Sequence, residues 1–263
     1  MANIHPTAIV DAAAELADDV TIHPYCIIEA GVKVGPGCKI GPMAVVRTGT
    51  TIGAATEIHT GAVLGEPPQD LKYKGEPTEL IIGEGNQIRE FVTLHRSTGE
   101  GSATTLGDRN MIMAYSHFGH NCVIGNDCLI ANGAGISGHC TLEDFVTIGG
   151  MVGAHQFVTF GTMAMVGAMS GITRDVPPYC MVDGKPAQPL GLNVRGLRRR
   201  GLTREEIEAL HHAYKLIFRS DLNVSQALDA LEAEGSMTAQ VRHLTDFMRR
   251  SLEGSLGRQL AHA

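Results

Sequence analysis

The sequence contains no tryptophan, and its 263 residues include only seven phenylalanines and five tyrosines. So few large rings cannot fill a broad sandwich core. Its 32 glycines suit narrow, turn-rich coils instead. No CxxC occurs among the six cysteines, so neither a disulfide framework nor a zinc ribbon is indicated. No apolar run is long enough to span a bilayer, and no basic segment leads into an apolar one at the start. A net charge of -7 argues against nucleic acid as the main partner. Together these absences predict a soluble, cytoplasmic chain with no membrane insertion.

What is present is a period. Counting every sixth residue from Ile4 gives Val10, Leu16, Ile22, Ile28, Val34 and so on to Ile172, with breaks only at Asp70, Glu76, Glu100 and Ala154. A helix of 3.6 residues per turn cannot hold that phase. A fixed short period marks a solenoid of hexapeptide coils, three hexads to a triangular turn of 18 residues. Glycine often follows the aliphatic, as at Gly35, Gly41, Gly53, Gly107, Gly125, Gly149, Gly161 and Gly167, which predicts corners with positive φ. Cys26, Cys38, Cys122, Cys128 and Cys140 fall four residues after the aliphatic, a slot that alanine fills elsewhere. They read as small interior fillers; only Cys180 lies outside the slot.

Residues 65–81, "GEPPQDLKYKGEPTELI", and 95–105, "HRSTGEGSATT", interrupt the repeat and read as loops extruded from the prism wall. The solenoid is expected to end near "DVPPYC", residues 175–180, which divides the chain into a β-helix at 1–190 and a helical domain at 191–263. Thr203 with Glu206 spells a capping box. Ile207, Leu210, Tyr214 and Ile217 line the helix it opens. Val224, Leu228 and Leu231 indicate a second helix, and Val241, Leu244, Met248 and Leu252 a third. Residues 192–263 carry 11 Lys+Arg against 9 Asp+Glu, whereas residues 1–191 carry 10 against 19. The cluster "RGLRRRGLTR" suits phosphates or an acidic partner, or is a solvated helix start.

Five histidines gather in the middle of the repeat: His95, His117, His120, His139 and His155. His120 and His139 are 19 residues apart, one coil plus one, which puts them on neighbouring coils and one face. A zinc set from His117, His120 and His139 is one reading. Another is an acid–base site in which a neutral imidazole takes a proton from a hydroxyl. One convex prism edge cannot enclose a substrate, so the second reading calls for a second subunit and a cyclic oligomer.

The segments "EPPQDLKYKGEPTEL", "HFGHNCVIGN", "AHQFV", "DVPPY" and "GLNVRGLRRRGLTREEI" resemble the UDP-N-acetylglucosamine acyltransferase family over nearly the whole chain. The resemblance implies a mainly β chain, a left-handed parallel β-helix of hexapeptide repeats with a C-terminal α-helical domain. It also implies a homotrimer with sites between neighbouring prisms and no metal or other cofactor. The implied reaction moves a (R)-3-hydroxyacyl chain from acyl carrier protein to the 3-hydroxyl of UDP-N-acetylglucosamine, the first step of lipid A synthesis. On that resemblance His120 is the general base, with Asn121 beside it, and the Gly138 N–H is the oxyanion donor. Gln69, Asp70, Lys72, His95, His117, His139, His155 and Gln156 map to substrate-contacting positions. Asn193, Arg199 and Arg200 map to the group that holds the UDP moiety. Ala168, next to Met169, maps to the acyl-length ruler, where alanine implies an intermediate chain.

Asn121 replaces the aspartate frequent after the family histidine; its carbonyl can fix a tautomer but cannot stabilise imidazolium by charge. Arg195 stands where an acidic residue is sometimes found in the nucleotide segment. The pair His120–Asn121 also resembles the related N-acyltransferase, which carries an extra N-terminal domain, whereas the hexads here begin at Ile4. The rival classes are a zinc carbonic anhydrase on the same scaffold, an acetyl-CoA-dependent hexapeptide transferase and a structural or ice-binding β-helix. The last would need a regular threonine ladder, which no face supplies.

Overall fold

Away from the extruded loops, a typical hexad contributes a two-residue strand and a four-residue corner. The computed structural model describes residues 1–235, 237–255 and 257, so the end of the 191–263 segment lies outside the described residues. Strands pair in parallel with the coil above, eighteen residues on: Ile4 with Ile22, Leu16 with Val34, Ile28 with Val46. The three faces hold eleven, nine and eight strands. The aliphatic of each hexad points inward, and Ile22, Ile40, Ile58, Ile88, Ile112 and Ile130 are all at most 2 % exposed. Burying such a side chain is worth about 1.5–3 kcal/mol, which is why the phase is kept so strictly. Ala154, a break in chemistry, keeps the geometry: it lies in the strand Gly153–Ala154 and is buried.

The other three breaks have a topological cause. Across the first loop the partner offset grows to thirty, Ile58 with Ile88, and across the second to twenty-four, Leu94 with Phe118. The insertions are therefore whole hexads, so Asp70, Glu76 and Glu100 occupy phase positions while standing outside the wall. Both loops are shorter than the sequence suggests. The flanking strands Val63–Glu66, Glu79–Ile82, Thr93–His95 and Ala103–Leu106 extend into them, which leaves residues 67–78 and 96–102 as the loops.

The glycine expectation needs correcting. Positive φ falls on the third residue after the aliphatic, for example Tyr25, Phe91, Asn121, His139 and Phe157, and on none of the eight glycines named above. Those glycines answer a different constraint. A Cβ on Gly35 would lie 2.9 Å from the Ala54 nitrogen, and one on Gly53 only 2.6 Å from the Gly83 carbonyl carbon. Coil-to-coil spacing leaves no room for a methyl group there. All six cysteines are free and buried, and the five in the slot do more than fill space. Cys26 Sγ donates to Gly41 O at 2.9 Å and Cys122 Sγ to Ser137 O at 3.2 Å, as Asn86 Nδ2 does to Gly107 O at 2.8 Å. Corner carbonyls that turn inward are thereby satisfied.

The prism closes with the strand Cys180–Gly184, parallel to Met165–Val166 and antiparallel to Ala187–Leu192. Among the described residues four helices follow: α1 Val194–Arg199, α2 Arg204–Arg219, α3 Val224–Ala233 and α4 Ala239–Leu252. The Thr203–Glu206 capping box is present; α1 and a second box, Asn223 with Gln226, escaped the sequence reading. Leu252, assigned to a packing face, is instead 52 % exposed. Tyr179, Cys180 and Leu192 join Leu197, Leu210 and Tyr214 in one apolar cluster, so the helices pack on the closing hairpin. His243 of α4 lies 3.1 Å from the Glu143 carboxylate and 2.8 Å from the Tyr179 hydroxyl. Burial alone would raise Glu143, but hydrogen bonds from His243 and Thr162 outweigh it and hold the group lowered. Among the described residues no helix is long and apolar enough to cross a membrane.

Candidate active site

His117 lies in the strand His117–Phe118, whose Phe118 fills the interior while the imidazole points out. Two residues on, the corner holds His120, only 7 % exposed. One coil up, His139 sits on a positive-φ corner (61°) and is held by stacking on Phe157, ring centroids 4.5 Å apart. Its ring meets that of His120 edge-on at 5.0 Å, and His95 meets His117 in the same way at 5.0 Å. Thr93 Oγ1 lies 2.7 Å from His117 Nδ1. The three imidazoles weighed as a zinc set do not converge, because His117 pairs with His95 and His120 with His139. Among the described residues no three His, Cys, Asp or Glu side chains are grouped to hold a metal ion.

The tautomer of His120 follows from its neighbour. Asn121 Oδ1 lies 2.8 Å from His120 Nδ1 and also accepts from the Thr98 N–H at 3.0 Å, while Asn121 Nδ2 donates to Thr98 O at 3.0 Å. The Thr98 N–H and C=O thus fix which end of the amide faces the ring. An amide oxygen only accepts, so Nδ1 carries a hydrogen, and in the neutral ring Nε2 presents its lone pair. On the Nε2 side, Asp70 Oδ2 stands 4.0 Å away. Asp70 is held in a turn, its Oδ1 accepting from Lys72 N at 3.0 Å.

Gly138 closes the site from the coil above. A Cβ there would lie 2.8 Å from both Cε1 and Nε2 of His120, so only glycine lets the ring pass this close. Its N–H donates to no acceptor among the described residues. Burial lowers His95 and His139 from the usual histidine value and takes His117 down to about 4, with neighbouring imidazoles adding to the effect. The rings around His120 are therefore neutral at pH 7.

His155 and Gln156 lie exposed at the same edge, one coil further, and Gln69 and Lys72 are exposed on the first loop. Lys72 is near enough to bear on His139. The other expected residues are not brought to this edge. Arg200 stacks its guanidinium 4.1 Å over Phe145, on the next corner of the prism, while the neighbouring Arg199 is exposed. Asn193 caps α1 through Gly196 N and donates to Met163 O. Ala168 and Met169 lie exposed on the third corner. The sequence reading missed Thr98, Thr104 (whose Oγ1 accepts from Asn121 N at 2.8 Å), Glu76 and Phe157. Only Glu76 carried a signal, as a break in the period.

Residues 175–256 match the second domain of UDP N-acetylglucosamine O-acyltransferases, and residues 103–138 match the six-repeat hexapeptide of bacterial transferases. The acyl-[acyl-carrier-protein]–UDP-N-acetylglucosamine O-acyltransferase of Burkholderia orbicola is 50 % identical over 97 % of this chain and 99 % of its own. That of Alkalilimnicola ehrlichii is 52 % identical over 97 % of this chain and all of its own. Among solved structures, LpxA of Acinetobacter baumannii superposes with a TM-score of 0.90 at 42 % identity, covering 94 % of this chain and 97 % of its own. The UDP-N-acetylglucosamine acyltransferase of Bacteroides fragilis gives 0.92 at 37 % identity, with the same coverage. The solved neighbours are left-handed β-helices, the fold that this chain shares. With half its residues identical across almost its full length, the chain belongs to the acyl-[acyl-carrier-protein]–UDP-N-acetylglucosamine O-acyltransferase family.

Proposed function

We propose that this chain transfers a (R)-3-hydroxyacyl group from an acyl carrier protein thioester to the 3-hydroxyl of UDP-N-acetylglucosamine, in the cytoplasm. The observation that carries the reading is the 2.8 Å contact of His120 Nδ1 with Asn121 Oδ1, an acceptor that places the ring hydrogen on Nδ1 and, in the neutral imidazole, leaves Nε2 free to accept. The sugar hydroxyl donates to Nε2, and its oxygen attacks the thioester carbon as the proton moves to the imidazole. The Gly138 N–H receives the oxyanion of the tetrahedral intermediate. Collapse breaks the carbon–sulfur bond, and the imidazolium returns its proton to the carrier's sulfur. Asp70, 4.0 Å from Nε2, balances the imidazolium that Asn121 cannot. Gln69, Lys72, His95, His117, His139, His155 and Gln156 line or support the acceptor pocket around it.

The separation of Arg199, Arg200 and Ala168 from the His120 corner supports a homotrimer in which a neighbouring prism completes each site. Arg199 and Arg200 then grip the pyrophosphate as guanidinium forks, with Asn193 shaping their turn as the cap of α1. Ala168 and Met169 bound the acyl chain. The test is an assay with UDP-N-acetylglucosamine and a series of 3-hydroxyacyl-acyl carrier proteins, the product identified by mass. His120→Ala is expected to lower kcat by ~10²–10⁴; a variant that keeps the wild-type rate would end this reading.

A further inference from the structure

The two extruded loops are joined to each other and to His120. Glu76 Oε1 accepts from Gly99 N at 2.9 Å and from Thr98 Oγ1 at 3.2 Å, while its Oε2 accepts from Lys74 N at 2.8 Å. Beside it, Arg96 donates to Gly65 O at 3.1 Å and to Tyr73 Oη at 3.0 Å, and Tyr73 Oη donates to Glu76 O at 3.1 Å. Thr98 is the residue whose N–H and C=O grip Asn121. Asp70 stands on the same loop as Glu76, near His120 Nε2. A closed ring of contacts therefore runs from His120 through Asn121, Thr98, Glu76 and the first loop to Asp70, and back to His120.

We propose that Glu76 is a positioning residue for the transfer reaction, setting His120 through Thr98 and Asn121 and setting Asp70 through the shape of its own loop. This rests on the reading of His120 as the base. A carboxylate suits the place because both of its oxygens must accept. A glutamine would turn an N–H towards either the Gly99 or the Lys74 N–H. The backbone donors of Gly99 and Lys74 hold the Glu76 carboxyl at about 2, so the latch stays ionised at any assay pH. Misplacing a reacting group by about 1 Å can lower a rate by ~10². Thr98 and the loop are the path by which a residue outside the reacting atoms could do so.

A double-mutant cycle separates positioning from general support of the fold. Glu76→Ala is expected to keep the wild-type Tm and to lower kcat by ~10–10², with little change in KM for the acyl carrier substrate. In Asn121→Ala and Asp70→Ala backgrounds, each with one arm of the ring removed, the same substitution should lower kcat by at least about threefold less. Equal losses in all backgrounds, or no loss in the wild type, would overturn the inference. If Glu76→Ala does not fold to the wild-type Tm, Glu76→Gln is read in the same cycle against the same outcomes. His120→Ala, assayed alongside, keeps the two readings apart. An active His120→Ala removes the base and this inference with it, whereas an inactive one beside an additive cycle removes the inference alone.

Discussion

At the scale of single residues, the site depends on what small or short side chains permit. Gly138 is there because a methyl group would occupy the place of the His120 ring, 2.8 Å from Nε2. Gly138→Ala is expected to lose ~10² in kcat/KM as the ring is displaced from the oxyanion donor; an unchanged kcat/KM would contradict the placement of ring and N–H. Asn121 takes a positive-φ corner (58°) that asparagine tolerates better than most residues. From that corner its amide reaches both Thr98 and the imidazole. The pair His120–Asn121 was legible in the sequence as a candidate base and its neighbour. Thr98 was not, because it belongs to another coil, and a contact across 23 residues leaves no local pattern.

At the scale of elements, the strand His117–Phe118 shows how the prism sets protonation. Its inward Phe118 anchors the wall, and its outward His117 is packed beside His95 and bonded to Thr93. The folded value for His117 is about 4, against 6.5 for an unburied histidine. Between those limits the unfolded chain binds a proton that the folded chain does not, so the contribution is present above pH 6.5 and is lost as the pH falls towards 4. The loss reaches about 3 kcal/mol at most, and lowered His95 and His139 act in the same direction. Thermal denaturation from pH 7 to 4 should show Tm falling in that window, with a shallower slope in His117→Gln; identical slopes would refute the assignment. The loops are a second element whose existence, but not extent, was readable. Their ends pair as strands, Glu79 with Ala103, and that pairing is decided by a neighbouring coil.

At the scale of the whole molecule, the three corners of the prism carry three different parts of the proposed chemistry. His120, Gly138 and Asp70 share one corner, Arg200 stacks on Phe145 at the next, and Ala168 lies on the third. One prism cannot turn all three towards one substrate, so a neighbouring copy is expected to supply what is missing. Co-expressed His120→Ala and Arg200→Ala chains, each inactive alone, should therefore regain activity, since random mixing leaves about a quarter of the sites with both groups intact. Mixed oligomers as inactive as either parent would place both groups within one chain.

The hexapeptide period, the prism, the clustering of the histidines and the Thr203–Glu206 box that opens α2 were determined by the sequence alone. Each rests on a repeat or motif whose physical cause is local: an aliphatic that must face inward every sixth residue, or a side chain that must satisfy an amide three residues away. The tertiary structure decided which glycines serve close coil contacts and which residues take positive φ. It also decided how the cysteines satisfy inward carbonyls, and how Glu76, Thr98 and Asn121 join two loops behind one imidazole. Those outcomes depend on stacking coils that lie 18 to 30 residues apart in the chain, and only the assembled wall brings such residues within hydrogen-bond reach.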